Sequence, residues 1–493
     1  MTDTSSKAEG VFVANPNEAP VRDFNLRSAF ALAFSDVSPI VGIYSIFAIG
    51  LVAAGPAFFW AFPVVLIGQL LVTGVFGELV SKWPFQGSVY AWSSHLIGPR
   101  YGWFANWAYM WGLTVALAAL SLAAAQFLTG ALGINNPGTT TIELVGLCVL
   151  IFGSIANMIG NRFLKTLLYV SVVCELLASG GIGTALLFFH RTHSFSLLFS
   201  GAGTGHGAGW LLSPFIGVIA FTGFSFVGFE SAGAIAEEVK GARFVLPKAI
   251  SLSLLAAGIL VMYACLGLIL AIPNLTDVLS GKDANPIATT LTTTLGSGVG
   301  RLLLVALAIG FTASLIGVQA AVSRSMWASA RDRVIPGSGF LGRLSGPENL
   351  PRRAILLTAI IAGSLLFVST SGIYAVLLTF GNAGFFFSYA LAVVGAAFVR
   401  LRGRWQPGPV SLGAWGTAVT YVAAVWIILE SVNIAWPRSI THVWYLDWGL
   451  LIMTVVLGLA GWLICLRVFK PGGPGADLAQ RNREMAAAED AIA

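Results

Sequence analysis

Twelve long apolar runs, a scarcity of charge and a one-sided distribution of lysine and arginine make this chain an all-α integral membrane protein of about a dozen transmembrane helices. Of its 493 residues, 57% are hydrophobic and 10% charged, against roughly 25% charged in soluble domains. So few charges cannot cover a water-soluble surface of this size, whereas a bilayer requires none. A spanning helix takes about 20 mostly apolar residues to cross a hydrocarbon layer roughly 30 Å thick. The runs are continuous rather than alternating, so they form helices and not the strands of a barrel.

In chain order the first six runs are Ala29 to Ala54, Ala57 to Val80, Trp103 to Gly130, Ile142 to Gly160, Leu167 to Phe189 and Leu211 to Ile235. The other six are Ala249 to Ile272, Leu302 to Trp327, Ala354 to Thr370, Ala375 to Val399, Ala414 to Ile434 and Trp448 to Leu466. Residues 1–28 form a polar N-terminal segment without a cleavable signal pattern. Residues 29–189 carry one set of five helices, 211–399 a second set, 414–468 two further helices, and 469–493 a charged, Ala-rich tail after a Gly/Pro break.

The basic residues test this count. With the N-terminus in the cytoplasm, the inside segments hold 23 of the 27 Lys and Arg, and the outside segments hold only Arg191, Lys282, Arg301 and Arg438. One missed span would scramble that separation, so the positive-inside rule favours twelve spans with both termini cytoplasmic, in an inner or plasma membrane. The net charge of +6 then reflects topology and attraction to anionic headgroups, not nucleic-acid binding.

Other chemistry finds little support. The four cysteines lie inside apolar runs, so no disulfide framework is expected. Gly201 to Gly209 neither follows a strand nor carries the lysine of a phosphate loop. Three of the five histidines, His190, His193 and His206, share one outside loop. No His/Cys metal spacing and no nucleophile–base arrangement is present, so neither an enzyme, a metal nor a cofactor is expected.

Runs one and six are unusual in the same way. The first contains Ser35-Asp36-Val37-Ser38-Pro39-Ile40-Val41-Gly42, and the sixth contains Thr222-Gly223-Phe224-Ser225-Phe226-Val227-Gly228-Phe229-Glu230-Ser231. Pro39 lacks an N–H and disfavours helical geometry at Ser38, so the ladder is expected to open there. Freed backbone at that depth is tolerated only where it lines a cavity or meets a ligand. Broken helices at matching places in two halves point to a transport site near the midplane. Packing kinks from Gly and Pro are the plainer alternative.

Three carboxylates lie well inside runs: Asp36, Glu175 and Glu230. Placing such a group in the membrane costs roughly 2.5–3.5 kcal/mol, so idle ones are rare. Glu175, in the middle of run five, is the leading candidate for proton coupling, since a lone carboxylate in a low-dielectric interior can exchange a proton. A helix-to-helix hydrogen bond is the competing reading. Glu430 stands nearer an outside end, within reach of the interface. Opened backbone suits a substrate carboxylate, while Asp36, Glu230 and free carbonyls suit an ammonium. Trp83, Trp92, Trp103, Trp107, Trp436, Trp444 and Trp448 fall near run ends, as an interfacial belt does. Phe224 is placed to close over a substrate.

At these positions the chain resembles the amino acid–polyamine–organocation permease superfamily. The resemblance rests on three ordered stretches. Phe226-Val227-Gly228-Phe229-Glu230-Ser231-Ala232 continues through Ala236-Glu237-Glu238-Val239-Lys240 to Pro247-Lys248-Ala249-Ile250. Glu78 leads through Trp83-Pro84 and Gln86-Gly87-Ser88-Val89-Tyr90-Ala91-Trp92 to Gly98-Pro99. Ser323-Arg324 leads through Ala330-Arg331-Asp332 and Ile335-Pro336 to Pro351. The wording around Asp36 and Gln86 is nearer the branch with 4-aminobutyrate and choline permeases.

The resemblance implies a five-plus-five inverted repeat with alternating access. It places a carboxylate-binding stretch on Val37, Ser38, Pro39, Ile40 and Val41, and the second half of the site on Phe224, Ser225, Val227 and Gly228. Relatives usually carry a Gly-Ser-Gly-like turn where this chain has Ser38-Pro39-Ile40-Val41, and often a lysine near the position of Glu175. The expectation is therefore a secondary transporter for an amino acid or related amine, coupled to protons through Glu175 and Glu230. The alternatives are a choline, polyamine or organic-cation carrier, an exchanger, or a transport-like sensor or channel. Sodium is the other coupling ion to consider, with Thr312 and Ser314 joining span-one carbonyls around it.

Overall fold

The computed structural model describes residues 20–134, 137–205, 207–283, 285–367, 373–437 and 444–492. Lys7, His206, Arg438 and the last three residues of the ninth run lie outside the described residues. Those described form helices joined by short turns, with two isolated bridges, Phe24 to Val239 and Ser345 to Leu350, as the β-type pairing among them. Eleven helices are long and apolar enough to cross a membrane. They follow the predicted runs closely: run three becomes Pro99–Ala131, run seven Ala242–Ala271 and run eight Ser297–Arg331. The ninth run gives the 15-residue helix Arg352–Leu366.

The helix Val89–Leu96, between spans two and three, was not among the runs. It is too short to read as a span, and its inward face is set by tertiary packing. Trp92 is fully buried there against Phe76, and its indole N–H donates to the Trp83 carbonyl at 3.2 Å. Trp92 and Trp103 are thus core residues rather than belt residues. The Trp103 N–H reaches the Val334 carbonyl at 2.8 Å, the polar partner a buried indole requires. Trp436, Trp444 and Trp448 are exposed on the helix ends, as a belt requires. Glu430 is buried rather than at an interface, and it accepts from the Asn433 amide at 3.0 Å.

Without a strong hydrophobic drive between helices in lipid, close packing needs small residues. Span three and helix Ile373–Leu401 meet at Gly112 and Gly384, where an added Cβ on Gly384 would lie 2.3 Å from the Gly112 Cα.

The basic loops gather at one end of the bundle. There Lys165 pairs with Asp23 at 2.5 Å, Arg331 with Glu237 at 2.9 Å, Arg400 with Glu78, and Arg100 donates to the Phe469 carbonyl at 3.0 Å. The tail helix Leu478–Ile492 docks at that end, where Arg481 donates to the Asp332 carbonyl at 3.1 Å. Alongside, Tyr90 donates to the Asp332 carboxylate at 2.6 Å, and burial beside that carboxylate pushes its phenol well above the usual range.

Candidate substrate site

Span one begins at Leu26, where Asn25 accepts from the Ser28 N–H and Ser28 reaches back to the Asn25 N–H, a two-way cap. The helix runs to Val37 and stops. Ser38 sits at φ 46° and ψ 105°, and few other non-glycine residues among those described take a positive φ. Pro39 then starts a second segment, Pro39–Tyr44, and after a turn the span ends as Phe47–Ala54. The opening falls at the residue before the proline, where the Pro ring disfavours helix.

Span six opens too. Ile216–Thr222 tightens into a 3₁₀ turn at Gly223–Phe226, Val227 is extended, and Gly228 takes φ 98° before the chain coils again at Ser231–Ala234. The two openings face each other. The Ser225 hydroxyl donates to the Gly42 carbonyl at 2.7 Å, and a Cβ on Gly228 would lie 2.7 Å from Asp36 Oδ1. Glycine is required there both for the positive φ and for this approach.

The three intramembrane carboxylates converge on this meeting place, each in a different setting. Glu230 is fully buried and accepts from the Tyr109 hydroxyl at 2.7 Å and from the Tyr389 hydroxyl. Tyr389 in turn accepts the Gly228 N–H at 3.1 Å. Glu175 is also fully buried and spends both oxygens on span one, taking the Ser38 hydroxyl at 2.5 Å and the Ile40 N–H at 2.8 Å. The Val41 N–H donates to the Ser38 oxygen at 3.1 Å. Immediately after Glu175, span five widens into a π-helical turn, Leu176–Gly181, a feature often found at functional sites.

Asp36 differs from both. It is 5% exposed, and neither of its carboxylate oxygens makes a hydrogen bond of good geometry among the described residues. The Ser231 hydroxyl lies beside it as a donor, and Glu230 is close enough to act on it electrostatically. Among the described residues no Lys or Arg pairs with either carboxylate, and a buried carboxylate pair without a cation is an expensive arrangement.

The remaining predicted residues divide. Ser314 reaches the opening, donating to the Asp36 carbonyl at 3.1 Å, whereas Thr312 turns back on its own helix to the Ala308 carbonyl at 2.7 Å. Val37, Pro39, Ile40, Val41, Ser225, Val227 and Phe224 all line the two openings and are buried. Tyr109, Tyr389 and Asn382, whose amide donates to the Ala220 carbonyl at 2.9 Å, were missed. The available signal was a tyrosine at mid-membrane depth, whose hydroxyl needs a partner. A cavity of about 1120 Å³ opens beyond the site, lined by Ile49, Leu212, Pro214, Phe221 and Asn433 among others. None of the three carboxylates lines it.

A bundle of apolar spans, broken twice at a buried polar centre, defines a multi-pass membrane transporter rather than an enzyme. The chain belongs to the amino acid permease family, whose model matches residues 24–458. It is 24% identical to an amino-acid permease of Arabidopsis thaliana, the match covering 84% of this chain and 86% of the relative. It is likewise 24% identical to a polyamine transporter of Saccharomyces cerevisiae, covering 84% of this chain and 70% of the relative. A thiamine transporter of Schizosaccharomyces pombe is also 24% identical, over 79% of this chain and 74% of its own length. The chain is therefore a permease of the class that carries amino acids or amines.

Proposed function

We propose that this permease binds the ammonium group of its substrate between the two helix openings, at Asp36 and Glu230. The observation that carries the reading is Asp36, a buried carboxylate whose oxygens make no hydrogen bond of good geometry among the described residues, set against the glycine opening of span six. A cation is the ligand that offsets such a charge. The Asn382 Oδ1, which has no hydrogen bond among the described residues, adds an acceptor for ammonium hydrogens.

Alternating access follows from the same arrangement, with the halves 29–189 and 211–399 moving about the openings and Phe224 closing over the bound solute. The orientation proposed puts both termini, and the basic end of the bundle, in the cytoplasm of a cell with an inner or plasma membrane. Protons are the proposed coupling ion, exchanged at Glu230 and Glu175. The contact of Ser314 with the Asp36 carbonyl gives sodium a second, testable claim.

The test is uptake into proteoliposomes, with thermal unfolding of the purified protein against amines and amino acids. A ligand at a hundred times its dissociation constant stabilises the folded state by about 2.7 kcal/mol. Asp36→Asn should weaken apparent affinity at least about tenfold, equivalent to ~1.4 kcal/mol. Unaltered affinity in that variant would remove Asp36 from the site.

A further inference from the structure

We propose that Glu175 is a specificity-determining residue, a built-in carboxylate that makes the site select amines over the corresponding amino acids. The inference rests on the reading that the ammonium sits at Asp36 and Glu230. Opening span one at Ser38 frees few donors, because Pro39 has no N–H. Those that remain are the Ser38 hydroxyl and the N–H groups of Ile40 and Val41. The protein uses all of them itself: Glu175 takes the Ser38 hydroxyl at 2.5 Å and the Ile40 N–H at 2.8 Å, and Ser38 takes the Val41 N–H at 3.1 Å.

The rest of the surroundings offers a second carboxylate little. The hydroxyls of Tyr109 and Tyr389 are both committed to Glu230, and the Asn382 amide is committed to the Ala220 carbonyl. Among the described residues, the unpartnered polar atoms at and beside the openings are Asp36 Oδ1 and Oδ2, Asn382 Oδ1, and the hydroxyls of Ser35, Tyr44, Thr222 and Ser231. Three of those seven only accept, and the four hydroxyls, which accept as readily as they donate, are neutral donors that cannot neutralise a second carboxylate. No Lys or Arg side chain contacts Asp36, Glu175 or Glu230 among the described residues.

An amino acid entering this site would bring its carboxylate against Glu175 with no cationic partner. Whenever Glu175 holds its charge the two carboxylates repel in the low-dielectric interior, and in either state a desolvated carboxylate short of donors costs several kcal/mol. An amine meets only the acceptors. Specificity of this kind comes from the repulsive element as much as from the attractive one.

The experiment titrates purified full-length protein at one fixed pH with matched pairs: putrescine against ornithine, cadaverine against lysine, and histamine against histidine. Wild-type protein is expected to bind the amine of at least one pair tenfold or more tightly than its amino acid. Glu175→Gln keeps an acceptor for Ser38 and removes the charge, and it should narrow that ratio at least tenfold. A merely structural role would weaken both members of a pair together and leave the ratio unchanged, which would overturn the proposal. Wild-type protein that binds the amino acids as tightly as the amines overturns it as well, while leaving the ammonium site intact. If Asp36→Asn leaves binding of both members unaltered, the underlying reading of the site fails instead. If Glu175→Gln does not fold, Glu175→Ala is titrated with the same pairs, and an unchanged ratio there overturns the proposal.

Discussion

Arg324 and Glu238 face each other as a buried two-point ion pair, Nε to Oε1 at 2.7 Å and Nη2 to Oε2 at 3.2 Å. Span eight supplies the arginine, and the turn after span six supplies the glutamate. Gln86 and Asn161 donate to the same carboxylate at 2.9 and 3.4 Å, and the Glu238 carbonyl accepts the N–H groups of Asp23 and Phe24, both at 2.9 Å. One residue thus ties together the N-terminal segment, the segment after span two, and spans five, six and eight. The preceding glutamate, Glu237, pairs with Arg331 in a partly exposed position.

Removing one partner of a buried pair leaves an uncompensated charge, at a cost of about 3–5 kcal/mol. Glu238→Gln should therefore lower the unfolding temperature strongly. Glu237→Gln should cost only about 0–1 kcal/mol, the range of solvent-reached pairs. Thermal unfolding of the two variants in one detergent checks this, and equal losses would show that burial does not separate them.

Gly228→Ala should damage binding more than folding. Its φ of 98° costs a non-glycine residue about 1–3 kcal/mol. The added methyl would also lie 2.7 Å from Asp36 Oδ1 and 3.0 Å from the Asp36 backbone carbon, so the carboxylate must move. The expected result is a loss of ligand affinity of tenfold or more with the protein still monodisperse. Wild-type affinity in this variant would dissociate Asp36 from the ligand.

Phe224 is 5% exposed within the opening of span six, whereas Trp448 is 50% exposed on the bundle surface. Phe224→Ala should raise the KM for uptake several-fold, and Trp448→Ala should leave it near the wild-type value. Uptake assays of the pair decide the gating role, and matching KM values would end it.

Coupling is read from the pH dependence of uptake. If Glu175 and Glu230 carry the proton, replacing either with glutamine removes a titrating group, and the rise of uptake toward acid outside pH should flatten. Retention of the wild-type profile in both variants, together with a dependence on sodium, would transfer coupling to the ion site beside Ser314.

The chain's linear pattern foretold the openings with some accuracy. Ser38 opens because Pro39 follows it, and the glycines of span six unwind where they cluster, both being effects of the nearest covalent neighbours. The motif words acquired physical reasons only in the fold. Gln86, Glu238 and Arg324, which come from the three separate stretches that carry the family resemblance, are one hydrogen-bonded cluster. The helix Val89–Leu96 escaped notice because eight residues are too few to show as an apolar run. Trp92 and Trp103 misled because a tryptophan near a run end belongs equally to a lipid interface or to a packed loop.

The sequence by itself determined the membrane class, the approximate spans, the two interruptions and the presence of three carboxylates in an apolar setting. These follow from local composition and from the stereochemistry of Pro and Gly, which need no knowledge of neighbours far along the chain. Only the tertiary structure decided what each carboxylate meets. Glu175 closes on Ser38 across 137 residues, Glu230 is held by tyrosines 121 and 159 residues away, and Asp36 meets no hydrogen-bond partner of good geometry among the described residues. Such pairings depend on the rotation and depth of each helix against the others, and hydrophobic spans of nearly uniform composition carry almost no signal of either.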